Sequence, residues 1–139
     1  MNFLLDTNVL SELRKGERCD GRVQTWFSAC EDEQLFTSVL CLGEIRMGVE
    51  AVRSRDALFA GRLHHWLDHI VETFEDRIIP ISQSIALEWG LISAPTSQAP
   101  IDELLAATAK VHQMILVTRN VRDIEHTGVG YLNPFEPIH

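Results

Sequence analysis

Short apolar runs alternate with longer stretches of helical spacing along this chain, and that alternation constrains the fold more than any other feature. Phe3-Leu4-Leu5 is a short apolar run that ends at Asp6 and reads as a buried strand. Gln34–Thr37, Arg77–Ile81, Met114–Val117 and Val129–Leu132 are further strand candidates. Between them the spacing predicts helices. Asp6 or Thr7 caps one through Asn8–Arg14, which Gly16 stops, and Asp20 caps a second from Gly21 to Cys30. A long helical pattern runs from Ser38 to Arg53. The next, from Arg55 to Phe74, carries Phe59, Leu63, Trp66, Ile70 and Phe74 at helical spacing. Ser82 opens a helix reaching Ile92, and another is expected over Ile101–Gln113. Ser93–Pro100, with two prolines, is the clear loop, and Asn120–Glu125 reads as a short helical turn.

Strands alternating with helices, in part through a helical hairpin, imply an α/β domain. Its sheet is expected to be mainly parallel, with helices on both faces. The length of 139 residues suggests a single domain spanning 1–139. No run approaches the roughly 20 apolar residues of a membrane helix. The N-terminus meets Asp6 without a basic region, so no signal peptide is expected. Cys19, Cys30 and Cys41 lack CxxC spacing, which argues for reduced thiols and a cytoplasmic location. The formal net charge of −8 argues against a basic nucleic-acid grip. An RNA substrate would then require a pocket in which metal ions neutralise part of that charge.

Sites in open parallel sheets form where strands end and helices begin. Asp6 and Thr118-Arg119-Asn120 both stand at such junctions. Asp6 also serves as a helix cap, as aspartate does well. At about 100° per residue, Arg46, Glu50 and Arg53 share one helix face and must look at water. Glu44 lies opposite, beside Leu40, Cys41, Met47, Gly48 and Ala51. A carboxylate on the inner side of a helix needs a partner or a metal. Asp102 and Glu103 follow Pro100 in a first helical turn, where acids satisfy the helix dipole. Glu103 is read as a surface acid. Val117-Thr118-Arg119-Asn120-Val121-Arg122-Asp123 carries an amide and an acid three residues apart. Acids from separate elements would repel one another unless a cation sat among them. Hard divalent cations take oxygen ligands, and a filled site activates water against a phosphodiester.

At these residues the chain resembles PIN-domain ribonucleases, most closely the VapC-like toxins of toxin–antitoxin pairs. The matching stretches are Leu5-Asp6-Thr7-Asn8-Val9-Leu10, Gly43-Glu44-Ile45-Arg46-Met47-Gly48 and Asp102-Glu103-Leu104-Leu105-Ala106-Ala107-Thr108-Ala109. They continue with the segment from Val117 to Asp123 and with Asn133-Pro134-Phe135. The resemblance implies a PIN-like three-layer α/β/α fold and a Mg²⁺- or Mn²⁺-dependent endoribonuclease. It implies that Asp6, Glu44 and Asp102 are site acids, with Asp6 and Asp102 on the metal. The position of Asn120 is often an aspartate in the family. Asp123 follows three residues later, so either Asn120 or Asp123 completes the set. Thr7, Asn8 and Thr118 look like groups that orient the acids, and Arg119 contacts phosphate or pairs with an acid. The implied partners are RNA, a small antitoxin protein and a second copy of the chain. The helix pair Ser38–Phe74, long and rich in apolar residues, is expected to form part of the antitoxin contact.

Two other readings compete. A PIN-like module that only binds a partner is kept open by Asn120. A response-regulator-like domain would need a lysine ending a late strand, and neither Lys15 nor Lys110 does so. His64, His65 and His69 lie near one helix but lack the further ligands of a zinc site. Trp26, Trp66 and Trp89 fall within helical patterns, where core packing is their default. No glycine-rich phosphate loop is present.

Overall fold

A computed structural model describes residues 1–98 and 100–137. Five strands form one sheet in the order β3-β2-β1-β4-β5. They are β1 (Phe3–Leu5), β2 (Leu35–Ser38), β3 (Ile78–Ile79), β4 (Ile115–Val117) and β5 (Tyr131–Leu132). All the pairings are parallel, with Leu4 opposite Phe36 on one side and Leu116 on the other. The helices are α1 (Thr7–Leu13), α2 (Gly21–Ser28), α3 (Val39–Arg53), α4 (Ala57–Phe74), α5 (Gln83–Ser93) and α6 (Ile101–Val111). The alternation of strands and helices anticipates this parallel α/β arrangement.

The order of strands locates the site. The chain builds outward from β1 to β2 and β3, then returns through α5 and α6 to lay β4 on the other side of β1. Successive connections therefore diverge at β1 and β4, which opens a crevice beyond their carboxyl ends. Asp6 ends β1 there, and Thr118 ends β4.

Strand β1 is central because both of its neighbours pair with it, and its residues must be apolar on both faces. Leu4 and Leu5 are accordingly fully buried. Leu116 and Val117 of β4 are buried with them, as are Leu105, Ala106, Ala107 and Ala109 of α6. The small alanines let α6 approach the sheet closely. Asp20, Ser38, Asp56 and Ser82 cap α2 to α5, each accepting a backbone N–H in the first turn. Gly128, with φ of 81°, provides the left-handed turn that leads into β5.

Several boundaries differ from those expected. Helix α4 starts at Ala57 because Asp56 caps it, and β3 keeps only Ile78–Ile79 before Pro80. Helix α5 continues through Ser93, which is buried, so the expected loop begins one residue later. Ala99, within that loop, lies outside the described residues. Along α4 the buried face runs through Ala60, Leu67, Ile70 and Phe74, whereas Phe59 sits at the margin under Arg14. Trp26 is buried, and Trp66 and Trp89 are partly buried against the core. His65 and His69 are exposed.

Truncating Leu5 to alanine removes packing from the middle of the sheet. We expect Leu5→Ala to lower the unfolding free energy by about 3 kcal/mol, read as a lower urea midpoint at unchanged slope.

Candidate metal centre

Asp6 leaves β1 and immediately caps α1, so its carboxylate is fixed from both sides. It is 5% exposed. Oδ1 accepts the Thr7 backbone N–H at 2.7 Å. Oδ2 accepts the Thr118 hydroxyl at 2.7 Å and the Asn8 side-chain amide at 3.3 Å. Burial raises the pKa of Asp6, and the three donors work against that shift. The cap and the site are therefore one structure: the same carboxylate that starts α1 points into the crevice.

Thr7, Asn8 and Thr118 each orient an acid. Thr7 donates its hydroxyl to Glu44 Oε1 at 2.8 Å. Asn8 donates to both Asp6 and Thr118, and its carbonyl oxygen accepts the Arg119 N–H at 3.2 Å. Thr118, almost fully buried, also accepts the Asn120 N–H at 3.0 Å. These bonds lash the β1–α1 junction to the segment after β4.

Glu44 reaches the crevice from α3. Its setting differs from the expected one, because α3 turns Cys41, Ile45 and Val49 to the interior. Met47 is 64% exposed, and Gly48 and Ala51 also face water. Glu44 stands at the margin of the buried stripe, half-buried, where the Thr7 hydroxyl meets it. Burial raises its pKa first, and the charge of Asp6 adds to the rise. Donor atoms of Asp6, Glu44 and Cys41 all lie within 4.8 Å of one another. Nothing in the sequence spacing singles out Cys41. Its buried thiol is pushed up to about 11 by desolvation, and it donates weakly to the Leu5 carbonyl at 3.6 Å.

Asp102 joins from the first turn of α6, half-buried. Its carboxyl is raised to about 6, chiefly by burial and then by the charges of Asp6, Asp123 and Glu44. Those carboxylates are thus close enough to feel one another. Of the two residues left open after β4, Asp123 is the one whose charge reaches Asp102. Asn120 is exposed and enters the network through its backbone N–H. Arg119 places its guanidinium 4.4 Å over the Phe135 ring instead of on an acid.

Glu103 departs most from expectation. Far from being a surface acid, it is 1% exposed. It accepts the Ser93 hydroxyl at 3.0 Å and lies 2.6 Å from His126 Nε2. The reason is packing: α5 and α6 pair closely, which turns this side of the first turn inward.

The donor set suits a hard cation. Carboxylate oxygens of Asp6 and Glu44 meet, with Asp102 near enough to feel their charges; burial raises all three pKa values, repulsion adds to the rise at Glu44 and Asp102, and a divalent ion would relieve that repulsion. Comparison with known proteins agrees with the architecture. Residues 3–129 match the PIN domain model. The chain belongs to the PIN domain family. It is 32% identical to VapC ribonuclease Y4jK of Sinorhizobium fredii, over 97% of this chain and 99% of that relative. The crystal structure of FitAcB from Neisseria gonorrhoeae matches with a TM-score of 0.85 at 28% identity, covering 97% of this chain and 99% of that one. A toxin–antitoxin complex from Klebsiella pneumoniae matches at 0.69 and 28%, covering 98% and 100%. Within this PIN domain, the acids lie where the topology opens its crevice.

The raised Asp102 carboxyl has a consequence for stability. The folded chain holds that proton more tightly than the unfolded chain, where the value is 3.8. The associated stabilisation is full below that pH and is lost as pH rises through about 6. At neutral pH in chelator, Asp102→Asn should therefore be the more stable protein. We expect about 1 kcal/mol, the linkage value reduced for solvent screening of a half-buried group. Thermal melts across pH check this: the advantage should shrink as the pH falls through 6 towards 4.

Proposed function

We propose that this PIN domain, acting as a single unit over 1–139, is a Mg²⁺- or Mn²⁺-dependent endoribonuclease and the toxin of a toxin–antitoxin pair. The observation that carries the reading is the meeting of Asp6 and Glu44, from separate elements and with donor atoms within 4.8 Å of one another, beside an Asp102 that feels both their charges. When bound, a divalent cation supplies charge neutralisation at a phosphodiester and activation of water. Asp6 and Asp102 would hold the ion, with Glu44 and Asp123 as the further acids. Thr7, Asn8 and Thr118 keep Asp6 and Glu44 in place. Arg119, stacked on Phe135 at the rim, leaves guanidinium N–H groups for an RNA phosphate. The family relationship supports the same chemistry, as does a relative named as a VapC ribonuclease.

The cation also reconciles an acidic chain with a polyanionic substrate. With a formal charge of −8, the chain as a whole repels RNA, so attraction has to be local. The silent-module reading rested on Asn120. Asp123 restores a negative charge near Asp102, which counts against it.

The test is incubation of the chain with structured RNA and Mn²⁺, with and without chelator. Cleavage should appear only with metal. Asp6→Asn and Glu44→Gln should fold normally yet lose more than about 100-fold in cleavage rate, beyond the usual effect of residues behind the ligands. Metal-independent cleavage, or full activity in Glu44→Gln, would contradict the assignment.

For the antitoxin we assign a groove of about 430 Å³ between α1, α2 and α4. Leu13, Phe27, Trp66, Ile70 and Phe74 line it, with Arg14 and Arg77 at its margins. A structural neighbour is a toxin–antitoxin complex, which supports a protein occupant. The groove refines the expected contact, since α4 contributes to it and α3 does not. An amphipathic segment with an acidic flank fits its apolar floor and Arg14, whereas Arg77 is held by the Asp32, Leu35 and Thr73 carbonyls. We expect Trp66→Ala to weaken antitoxin binding by more than about 2 kcal/mol, in the range of an interface hot spot. Calorimetry on the purified pair measures this, and RNA cleavage by the variant alone should be unaffected.

A further inference from the structure

Glu103 is a nearly fully buried carboxylate beside Asp102, and the chemistry described so far does not use it. Both of its oxygens have partners. Oε1 accepts the hydroxyl of Ser93, on the last turn of α5. Oε2 meets Nε2 of His126, in the 3-10 turn Glu125–Thr127. One side chain thus ties together three segments distant in sequence. An acid in the first turn of α6 needs no burial to satisfy the helix dipole, and an exposed one would serve. Burying it carries a desolvation cost, which the two partners offset.

His126 gains little from burial itself, since its side chain is 48% exposed. What its contact achieves is attachment of the turn. The same turn is held a second time, where Lys110 Nζ donates to the Thr127 carbonyl at 3.0 Å. Lys110 sits in the last turn of α6 and Glu103 in the first. Two fastenings along one helix, together with buried Ile124 and Thr127, fix both the position and the orientation of the turn. Immediately before it comes the 3-10 turn Val121–Asp123, packed against it and joined through buried Ile124. Asp102, Glu103, Asp123 and His126 line one cavity of about 360 Å³. Orientation of the fastened turn therefore decides where Asp123 stands relative to Asp102.

We propose that Glu103 and His126 are positioning residues, whose contact, anchored by Ser93, holds Asp123 beside Asp102 so that both carboxylates face one divalent cation. This rests on the metal-dependent reading above. Neither Glu103 nor His126 touches the cation or the RNA in this arrangement.

The test uses the full chain with Mn²⁺ alone, by isothermal titration calorimetry, and then RNA cleavage as a function of Mn²⁺. His126→Ala should bind Mn²⁺ about tenfold more weakly, the usual cost of losing a group that orients a ligand. Its KM for RNA should stay unchanged, and saturating Mn²⁺ should return kcat to within about twofold of the parent. His126→Gln, whose amide can donate to Glu103, should recover most of the binding. Glu103→Ala combined with His126→Ala should be no weaker than the worse single variant, as expected when two residues act through one contact. If Glu103→Ala does not fold, the two His126 variants decide the matter alone. Unchanged Mn²⁺ affinity in His126→Ala overturns the proposal. So does a raised KM for RNA with unaltered Mn²⁺ binding, which would make His126 a substrate contact, or a His126→Gln variant as weak as alanine. A parent chain that neither binds Mn²⁺ nor cleaves RNA overturns the metal-dependent reading and the proposal with it. An active parent beside an unaffected His126→Ala overturns the positioning role only.

Discussion

The hydrogen bond from the Thr118 hydroxyl to Asp6 spans the two strands between which the sheet reverses its direction of growth. Much else depends on it. A carboxylate at the end of a central strand is cut off from water, and burying it without partners would cost several kcal/mol. Three donors meet it here: the Thr7 backbone N–H, the Asn8 amide and Thr118. Each belongs to a segment that leaves the sheet at the same edge. Stabilising the acid and joining β1–α1 to the chain after β4 are consequently one task. Asn8 carries the linkage further by accepting the Arg119 N–H. The segment that begins with Arg119 and leads to Asp123 is thereby aimed before any ion arrives.

Repulsion between the acids is the counterpart of this order. Burial raises Glu44 and Asp102 first, and charge adds to it: Asp6 at Glu44, and Asp6, Asp123 and Glu44 at Asp102. A chain with 20 acids and 12 lysines and arginines had ample means to place a basic residue among them. Arg46 and Arg53 instead pair with Glu50 on the outer face of α3, and Arg119 stacks on Phe135. Leaving the inner acids without a fixed cation keeps the site open to an exchangeable one. The resulting tension lowers stability at neutral pH, and on the proposed reading a bound cation would release it, which would make metal affinity and folding two readings of one balance.

What could be read from the sequence followed from local rules. Leu4-Leu5-Asp6 announces a buried strand ending in an acid, and Leu116-Val117-Thr118 repeats the pattern with a hydroxyl. The parallel sheet and the convergence of Asp6 with the segment after β4 follow from that pair. Glu44 was found by its position opposite Arg46, Glu50 and Arg53, although the inner face is centred on Cys41, Ile45 and Val49. Helix periodicity gives a polar face well, but the centre of the apolar face depends on what packs there. Glu103 was not legible at all. The helix dipole accounts for an acid at that position whether it is exposed or buried. Its partner His126 lies 23 residues away, in a stretch with no periodic pattern. Cys41 was equally silent, because a small apolar residue on an inner helix face needs no explanation from chemistry.

The acids also differ in how they are held. Asp6 and Glu44 are restrained directly by donors from Thr7 and its neighbours, on the first turn of α1. The site's other half depends on how α5, α6 and the turn at 125–127 meet, and Glu103 is where they do. That turn is fastened twice to α6, through Glu103 and through Lys110, so the place of Asp123 depends on side-chain contacts outside the crevice, whereas Asp6 depends on donors within it. On the proposed reading, losing the Glu103–His126 contact would therefore weaken metal binding before it disturbed the sheet.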